Sequence, residues 1–235
     1  MTESIAAIVP VLNEETAIGH VVAGLRSAGI DEVIVVDGGS TDTTAERAAA
    51  AGARVLLERR RGYGRACASG AAATTAGVLV FIDGDGADDP SAVLKLLQPV
   101  LDGAADLALG ARGQMERGAL PWHAVAGNRL AAGLINLLWG QRISDLPSYK
   151  ALRRDTLAKL GLTESTYGWT IEMIVKAARR RYRLLEIAIP YRRRMGGESK
   201  VSGNLRTSIK AARSILTTLG RHGFTNSGGP PLIAT

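Results

Sequence analysis

The most constraining feature of this sequence is a repeated order of apolar strand, polar turn and alanine-rich helix in its first half. The β-branched runs IAAIVPV and DEVIVVD are each followed by a turn and then by a segment of helical composition. A third unit begins with RVLLE and leads through RGYGRACASGAAATTAG to another apolar run, VLVFID. Because parallel strands need long crossover connections, this alternation predicts an α/β fold. We expect a mostly parallel sheet of at least four strands, flanked by helices.

The second half of the chain keeps strand and helix patterns but loses the regular alternation. ADLALGAR and LLEIAIPYRRR are typical of strands, whereas AVAGNRLAAGLINLLWG and TYGWTIEMIVKAARRR are typical of helices. Helical spacing returns in SGNLRTSIKAARSILTTLGRHG. A chain of 235 residues suits one buried core better than two. We therefore predict a single domain over residues 1–221 and a flexible tail over residues 222–235.

The charge and composition of the chain favour some partners and exclude others. The formal net charge is +7, and basic residues concentrate between Met173 and Arg221. Such a segment favours phosphate groups on small molecules or lipids. We expect no nucleic acid, because only 4% of the residues are aromatic and no recognised nucleic-acid module is present. Without a secretory signal or a run of roughly 20 apolar residues, a cytoplasmic protein is expected.

Polar and acidic residues follow three of the predicted strands, in VPVLNEE, VVDGGSTD and FIDGDGADDP. The carboxyl ends of parallel strands lie along one edge of an open sheet, and ligands bind there. Three separate segments therefore converge on one predicted edge. We expect this edge to hold the functional site.

The third segment carries two carboxylates, Asp83 and Asp85, directly after an apolar strand. Their oxygens suit Mg²⁺ or Mn²⁺, which complete their shells with waters and substrate phosphates. The alternative is a plain polar turn, since Asp and Gly are common turn residues. The two other polar strand ends nearby favour the metal. Asp88 and Asp89 fit better as caps of a helix that begins near Pro90 than as ligands through water.

Six blocks of the sequence together resemble one known family. They are VPVLNEE, VIVVDGGSTD, RGYGRA, FIDGDGADDP, SDLPSYKALRR and RRRMGGESK. In this order they resemble glycosyltransferase family 2, and within it the dolichyl-phosphate and polyprenyl-phosphate sugar synthases. The resemblance implies the GT-A fold with a Rossmann-like sheet. It also implies a metal-dependent, inverting transfer of a hexose from a UDP- or GDP-linked sugar to an acceptor.

The resemblance further implies roles for single residues at the donor side. The residues implied in nucleotide-sugar binding are Pro10, Leu12, Glu14, Asp37, Asp83, Arg194, Ser199 and Lys200. The metal ligands are Asp83 and Asp85, and the catalytic residues are Asp85, Arg194 and Lys200. The segment RMGGESK would close over the donor phosphates as a loop.

At the acceptor side, Arg112 and Arg129 fall where the family places arginines for an acceptor phosphate. The implied acceptor is anionic, most simply a polyprenyl or dolichyl phosphate. A soluble hydroxyl acceptor is the alternative, and a nucleotide-binding module without turnover is another. An ionised phosphate needs no general base, whereas a hydroxyl needs a carboxylate such as Asp145 or Glu172. The helix AVAGNRLAAGLINLLWG can lie on a bilayer, which makes peripheral contact with the inner membrane face a further hypothesis.

The sequence departs from the family pattern at three positions. Leu12 replaces a common aromatic residue, Gly38 a common aspartate, and Ala87 a glutamine that often assists the metal. The protein side of the metal shell is therefore expected to be short. The C-terminal membrane helices of many relatives are also missing from this sequence, so the resemblance alone does not secure a lipid acceptor.

Each residue assignment has a plainer alternative. Asp37 could simply start its turn, and Arg194 could be part of a solvated basic surface. Arg112 and Arg129 could be ordinary surface arginines. Trp169, in the block GWTIEM, could touch the acceptor or pack in the core.

Overall fold

The strands form one seven-stranded sheet in the computed structural model, which describes residues 3–196. The strands are β1 (Ile5–Val11), β2 (Glu32–Asp37), β3 (Arg54–Leu57), β4 (Val78–Phe81), β5 (Leu107–Met115), β6 (Lys150–Arg153) and β7 (Leu184–Tyr191). The helices are α1 (Ile18–Ser27), α2 (Thr44–Ala50), α3 (Tyr63–Ala72), α4 (Val93–Leu101), α5 (Trp122–Trp139), α6 (Arg154–Leu160) and α7 (Gly168–Arg179). The spatial order of the strands is β3-β2-β1-β4-β6-β5-β7.

All the strands of this sheet except β6 run in the same direction. β1 pairs in parallel with β2 and β4, and β5 pairs in parallel with β7. β6 runs antiparallel between β4 and β5. The predicted mostly parallel α/β sheet is therefore confirmed, and it is wider than the sequence pattern required. The sequence analysis did not anticipate β6, because this strand is short and carries a charged residue at each end.

Side chains that alternate along the strands enter two cores, one on each face of the sheet. In β1, for example, Ile8 belongs to the first core and Val9 to the second. Helices α3, α5, α6 and α7 contribute to the first core, and α1, α2 and α4 contribute to the second. Strands that are covered on both faces read as nearly continuous apolar runs, as the sequence of β1 does. The open edge at the strand ends is left for the polar segments.

Two glycines allow the acidic turn after β4 to pass close to β1. A Cβ on Gly84 would lie 2.4 Å from Cγ1 of Val11, which is closer than two carbon atoms can approach. Gly86 has a φ of +73°, in the left-handed region that favours glycine. The close packing of this turn against β1 therefore fixes the backbone positions of Asp83 and Asp85.

Some boundaries differ from the sequence predictions. α1 begins at Ile18 rather than near Glu15, because the chain first makes a turn in which the Glu14 carbonyl accepts from the Ile18 amide at 3.0 Å. A short 3₁₀ turn, Pro90–Ala92, precedes α4. The predicted late helix, the domain end at 221 and the tail over residues 222–235 lie outside the described residues and stay predictions.

Candidate active site

The first part of the site joins the ends of β1 and β2. The Gly38 amide donates to the Val11 carbonyl at 2.9 Å, and the Asn13 amide donates to Ser40 Oγ at 2.9 Å. Asp37, the last residue of β2, is 5% exposed, and its Oδ1 accepts from the amide and the hydroxyl of Ser40. Asp37 therefore shapes its own turn, as the plainer alternative predicted. Its contact with a nucleotide stays a prediction.

Two further residues of the predicted nucleoside pocket lie at the same edge. Pro10 pairs with Val36 inside the sheet, and Leu12 follows β1 with 37% of its surface exposed. A Cβ on Gly38 would lie 3.9 Å from Cβ of Leu12. The Leu12 side chain therefore borders the turn after β2 and offers it a small apolar surface.

Arg194 reaches from the end of β7 to two acidic strand ends. Its guanidinium donates to Oε1 of Glu14 at 2.6 Å and lies 4.0 Å from Oδ2 of Asp85. The next amide, of Met195, donates to the Asp85 carbonyl at 3.0 Å. Burial alone would lower the pKa of Arg194, but Glu14 and Asp85 raise it, so the guanidinium stays charged. Three residues that the sequence placed at the donor thus lie together.

The two carboxylates of the acidic turn have different surroundings. Oδ1 of Asp85 accepts from the Ala87 amide at 3.0 Å. Oδ1 of Asp83 is buried and has no hydrogen bond of normal geometry within the described chain. Burial, and then the charge of Asp85, raise the pKa of Asp83 to about 6. Because a buried carboxylate oxygen without a donor is costly, a cation beside it would be stabilising.

The acidic pair fits a divalent cation that the protein holds from one side. Between residues 3 and 196, no three His, Cys, Asp or Glu side chains converge as a metal cage. Ala87, at the position of the family's glutamine, is 2% exposed and carries no ligand atom. Mg²⁺ and Mn²⁺ commonly take one or two carboxylates and complete their shells with waters and phosphates. Asp83 and Asp85 would therefore hold such a metal together with the donor.

The next two aspartates have separate roles. Asp89 caps the 3₁₀ turn, since its Oδ1 accepts from the Ser91 amide at 3.0 Å, and this prediction is confirmed. The same prediction was wrong for Asp88, which is 2% exposed and accepts from the Ser148 hydroxyl at 3.4 Å. Burial, and then the charge of Asp83, raise the pKa of Asp88 to about 8. Both causes favour the protonated form of Asp88.

The sequence analysis missed a buried lysine close to the acidic pair. Lys150 is fully buried in β6 and pairs with Phe81 of β4. Its Nζ donates to Oγ1 of Thr170 at 2.7 Å and lies 5.4 Å from the ring centroid of Trp169. Burial lowers the pKa of Lys150 to about 8, whereas nearby acidic groups, Asp83 among them, raise it. The signal in the sequence was a single lysine inside the short run SYKAL.

Arg112 is held in an ion pair. Its guanidinium donates to both oxygens of Asp145, at 2.5 and 3.0 Å, and lies 5.1 Å from the ring centroid of Tyr191. Asn128 of α5 donates to the same Asp145 at 3.1 Å. Arg129, in contrast, lies on the exposed side of α5. Among the described residues, the two predicted acceptor arginines share no ion-pair partner.

The two candidates in α7 are buried. Trp169 is 0% exposed and packs edge-on against Phe81, with ring centroids 4.9 Å apart. Glu172 is also 0% exposed, and its carboxylate accepts from the amides of Thr163 and Glu164. These positions contradict an acceptor contact for either residue. Trp169 packs in the core, and Glu172 ties the preceding loop to the helix.

Two predicted donor residues, Ser199 and Lys200, lie outside the described part of the chain. Of the proposed phosphate loop, the structure describes Arg194, Met195 and Gly196. The residues that the sequence analysis did not identify at this edge include Ser148 and Lys150, which come from β6 and the loop before it. Both lie in the block SDLPSYKALRR, but nothing in that block singled out either side chain, and the pairing of β6 with β4 places them near the acidic turn.

Comparison with known proteins identifies the family. Residues 6–161 match the sequence profile of Glycosyl transferase family 2. The chain belongs to glycosyltransferase family 2. This family 2 enzyme is 36% identical to an uncharacterised glycosyltransferase of Mycobacterium tuberculosis over 209 residues, which are 89% of this chain and 94% of that one. It is 35% identical to the dolichyl-phosphate hexose transferase of Haloferax volcanii over 202 residues, which are 85% of this chain and 87% of that one. The predicted glycosyltransferase activity is thereby confirmed.

Solved structures of a glycosyltransferase confirm the GT-A fold of this family 2 enzyme. Glucosyl-3-phosphoglycerate synthase from Mycobacterium tuberculosis, in complex with Mn²⁺, UDP and glucosyl-3-phosphoglycerate, matches with a TM-score of 0.76 and 26% identity over 97% of this chain and 82% of that chain. A complex of the same enzyme with Mn²⁺, UDP-glucose and phosphoglyceric acid matches with a TM-score of 0.76 and 27% identity over the same shares. In the described range of the family 2 enzyme, no helix combines the length and hydropathy of a membrane span.

Proposed function

We propose that this enzyme transfers a hexose from a UDP- or GDP-linked sugar to a polyprenyl or dolichyl phosphate, with inversion at the anomeric carbon. The transfer would use Mg²⁺ or Mn²⁺ at Asp83 and Asp85. The observation that carries the proposal is that Asp145 and Glu172, the carboxylates suggested as a general base for a hydroxyl acceptor, are already engaged by the protein.

A hydroxyl acceptor needs a base whose oxygen can reach the proton that it removes. Both oxygens of Asp145 accept from Arg112. Glu172 is wholly buried, and although burial alone would raise its pKa, hydrogen bonds from Lys176 and from the loop before α7 lower it. A phosphate acceptor is already ionised at neutral pH and needs no base. The engaged carboxylates therefore favour a phosphate acceptor over a hydroxyl.

The exposed side of α5 supports an acceptor that is linked to a lipid. Trp122 is 81% exposed, Leu130 65% and Leu137 80%. The chain has no acidic residue between Arg117 and Ser144. A helix with an apolar face and no negative charge suits an anionic lipid surface. A relative named as a dolichyl-phosphate hexose transferase supports the same acceptor class.

The residues at the strand ends would share the work of the transfer. The departing nucleoside diphosphate gains negative charge as the sugar carbon becomes oxocarbenium-like. A metal bound at the acidic pair would supply electrostatic stabilisation of this charge. Arg194, held by Glu14, adds a fixed positive charge beside Asp85. Arg112, aligned by Asp145, would face the acceptor phosphate with its side chain already ordered.

Turnover on a short-chain polyprenyl phosphate tests the proposal. UDP-glucose and GDP-mannose serve as donors, with Mn²⁺ or Mg²⁺ present, and the product is analysed by mass and by NMR. We expect a sugar linked to the lipid phosphate, with an anomeric configuration opposite to that of the donor. Transfer to 3-phosphoglycerate or a simple sugar, with none to the lipid phosphate, would contradict the proposed acceptor.

A soluble acceptor that bears a phosphate is the second candidate. The observation that favours it is the close match in fold to the complex of glucosyl-3-phosphoglycerate synthase with phosphoglyceric acid. In this case Arg112 would again face a phosphate, but α5 would have no part in binding. The assay with 3-phosphoglycerate distinguishes the two candidates directly.

A further inference from the structure

A stack of aromatic rings runs from the core of the protein to its surface beside Asp83. Phe81 meets Trp169 edge-on at a centroid distance of 4.9 Å, and Trp169 meets Tyr63 at 6.5 Å. Tyr63 stacks on Tyr167 with centroids 6.2 Å apart and an interplanar angle of 24°. The stack ends at Tyr167, which is 46% exposed, whereas Phe81 and Trp169 are wholly buried. One face of the Tyr167 ring therefore covers Tyr63, and the other faces outward.

The stack is fixed by close backbone contact between the start of α3 and the loop before α7. A Cβ on Gly62 would lie 2.2 Å from the carbonyl oxygen of Ser165. A Cβ on Gly64 would lie 2.4 Å from the carbonyl oxygen of Glu164. Only glycines permit both approaches. Tyr63 lies between these two glycines and is thereby held against Tyr167.

The pKa values of both tyrosines respond to the charge of Asp83. Burial, and then the charge of Asp83, raise the pKa of the Tyr63 hydroxyl. The same two causes, in the same order, raise the pKa of Tyr167. The Tyr63 hydroxyl, like Oδ1 of Asp83, is buried without a hydrogen bond of normal geometry in the described chain. Tyr63 begins α3, which follows the carboxyl end of β3, and β3 runs parallel to β2. Tyr63 and the Tyr167 ring stacked on it therefore lie at the same edge of the sheet as the acidic turn.

We propose that the outward face of the Tyr167 ring stacks against the hexose of the donor, so that Tyr167 recognises the sugar and not the nucleotide. This inference rests on the proposed donor site at Asp83 and Asp85. A hexose presents a face of C–H groups that packs on an aromatic ring, and tyrosine supplies such a surface with little loss of side-chain entropy. The predicted nucleoside contacts, Leu12 and Asp37, lie instead at the ends of β1 and β2.

Binding of UDP-glucose and of UDP, each with Mn²⁺, tests this inference without any acceptor. Tyr167→Leu is expected to weaken UDP-glucose about three- to tenfold and to change UDP by less than about twofold. Tyr167→Phe keeps the ring and is expected to match the wild type. Leu94→Ala removes an exposed apolar side chain from α4 and is the matched control, with unchanged binding of both ligands. Binding of GDP-mannose and of GDP is measured in the same way. The variants are then compared on the nucleotide sugar that the wild type binds more tightly, together with its nucleotide.

Three outcomes would overturn the inference. Equal weakening of UDP and UDP-glucose by Tyr167→Leu would assign the ring to the nucleotide. Unchanged binding of both would leave the ring without a role in the donor site. If Asp85→Asn also leaves both affinities unchanged, or the wild type binds neither pair, the donor site itself is wrong. Failure of the lipid-phosphate assay alone would contradict the proposed acceptor but not the role of Tyr167. The thermal unfolding midpoint of each variant checks that it is folded.

Discussion

At the scale of single residues, the site gathers three acidic side chains in one turn. They are Asp83, Asp85 and Asp88, and the positive charges near them are Arg112, Lys150 and Arg194. The pKa of Asp83 is raised to about 6 and that of Asp88 to about 8, in both cases first by burial and then by neighbouring charge. A folded protein that keeps such a cluster is suited to bind a cation there.

Asp85→Asn is expected to lower metal-dependent turnover by at least about 100-fold, because it removes a charge from the pair that would hold the metal. Initial rates across a Mn²⁺ titration, with free Mn²⁺ measured by electron paramagnetic resonance, would show the loss of both activity and affinity. Asp89→Asn is the matched control: it removes the same charge four residues later, and asparagine caps the 3₁₀ turn as well as aspartate does. Unchanged Mn²⁺ affinity in Asp85→Asn would exclude this metal site.

Lys150→Met is expected to alter how stability depends on pH. The folded pKa of Lys150, about 8, lies below its ordinary value of 10.5, so between these pH values the unfolded chain binds a proton that the folded chain lacks. The stability of the wild type therefore rises relative to the variant across this window. We expect a relative gain of about 1–3 kcal/mol between pH 7 and pH 10, measured by urea unfolding. A difference that does not change with pH would contradict the assignment.

At the scale of elements, contacts between backbones position the chemistry. The start of α3 touches the loop before α7, and the turn after β4 touches β1; in both places a glycine removes the atom that would collide. The glycines of RGYGR and DGDG therefore have a packing role that is separate from any ligand. The contact at α3 also aligns the aromatic stack that begins at Phe81.

Gly62→Ala is expected to destabilise the protein by more than about 2 kcal/mol, because Gly62 has a φ of 142° and its new Cβ would overlap the Ser165 carbonyl. Gly19→Ala, in α1, is the matched control, since its Cβ would meet nothing within 4 Å. This control is expected to stabilise the protein by up to about 1 kcal/mol. Thermal and urea unfolding would compare the two. Equal effects would mean that the contact at α3 does not hold the fold.

The sequence predicted the strands whose apolar pattern lies in their own residues. It missed features that depend on pairing with segments distant in the chain. β1, β2 and β4 are apolar runs with acidic or polar ends, so both the sheet and the place of Asp83 and Asp85 could be inferred. β6 has only four residues and exists because β4 and β5 pair with it on both sides. The engagement of Arg112 by Asp145 could not be inferred either, because 33 residues separate the two and no pattern links them.

At the scale of the whole molecule, the chain combines a net charge of +7 with one exposed apolar helix side. Several charged surface residues in the described part are already paired, as Arg183 is with Asp106. The side of α5 that carries Trp122, Leu130 and Leu137 has no acidic residue to repel an anionic surface. The positive net charge of the chain and the exposed apolar side of α5 therefore favour the same partner, a membrane with anionic lipids.

Sedimentation with vesicles of phosphatidylglycerol and of phosphatidylcholine would test this contact. We expect binding to the anionic vesicles at low salt, weaker binding at high salt, and little binding to the neutral ones. Leu137→Asp places a negative charge on the exposed side of α5 and is expected to reduce binding strongly. Leu94→Asp makes the same change at a residue of α4 that is 53% exposed, and is expected to reduce it much less. Absence of binding at low salt, or equal loss in both variants, would contradict the contact.

The path of the chain into the site has a consequence for protein synthesis. Arg194 and Met195 approach Asp85 from the end of β7, the strand nearest the C-terminus among those described here. A ribosome releases the segments in order, and N-terminal parts fold first. The acidic turn therefore leaves the ribosome long before the guanidinium that faces it. If the donor site is as proposed, a nascent chain therefore cannot complete it until the ribosome has released the segment with Arg194 and Met195.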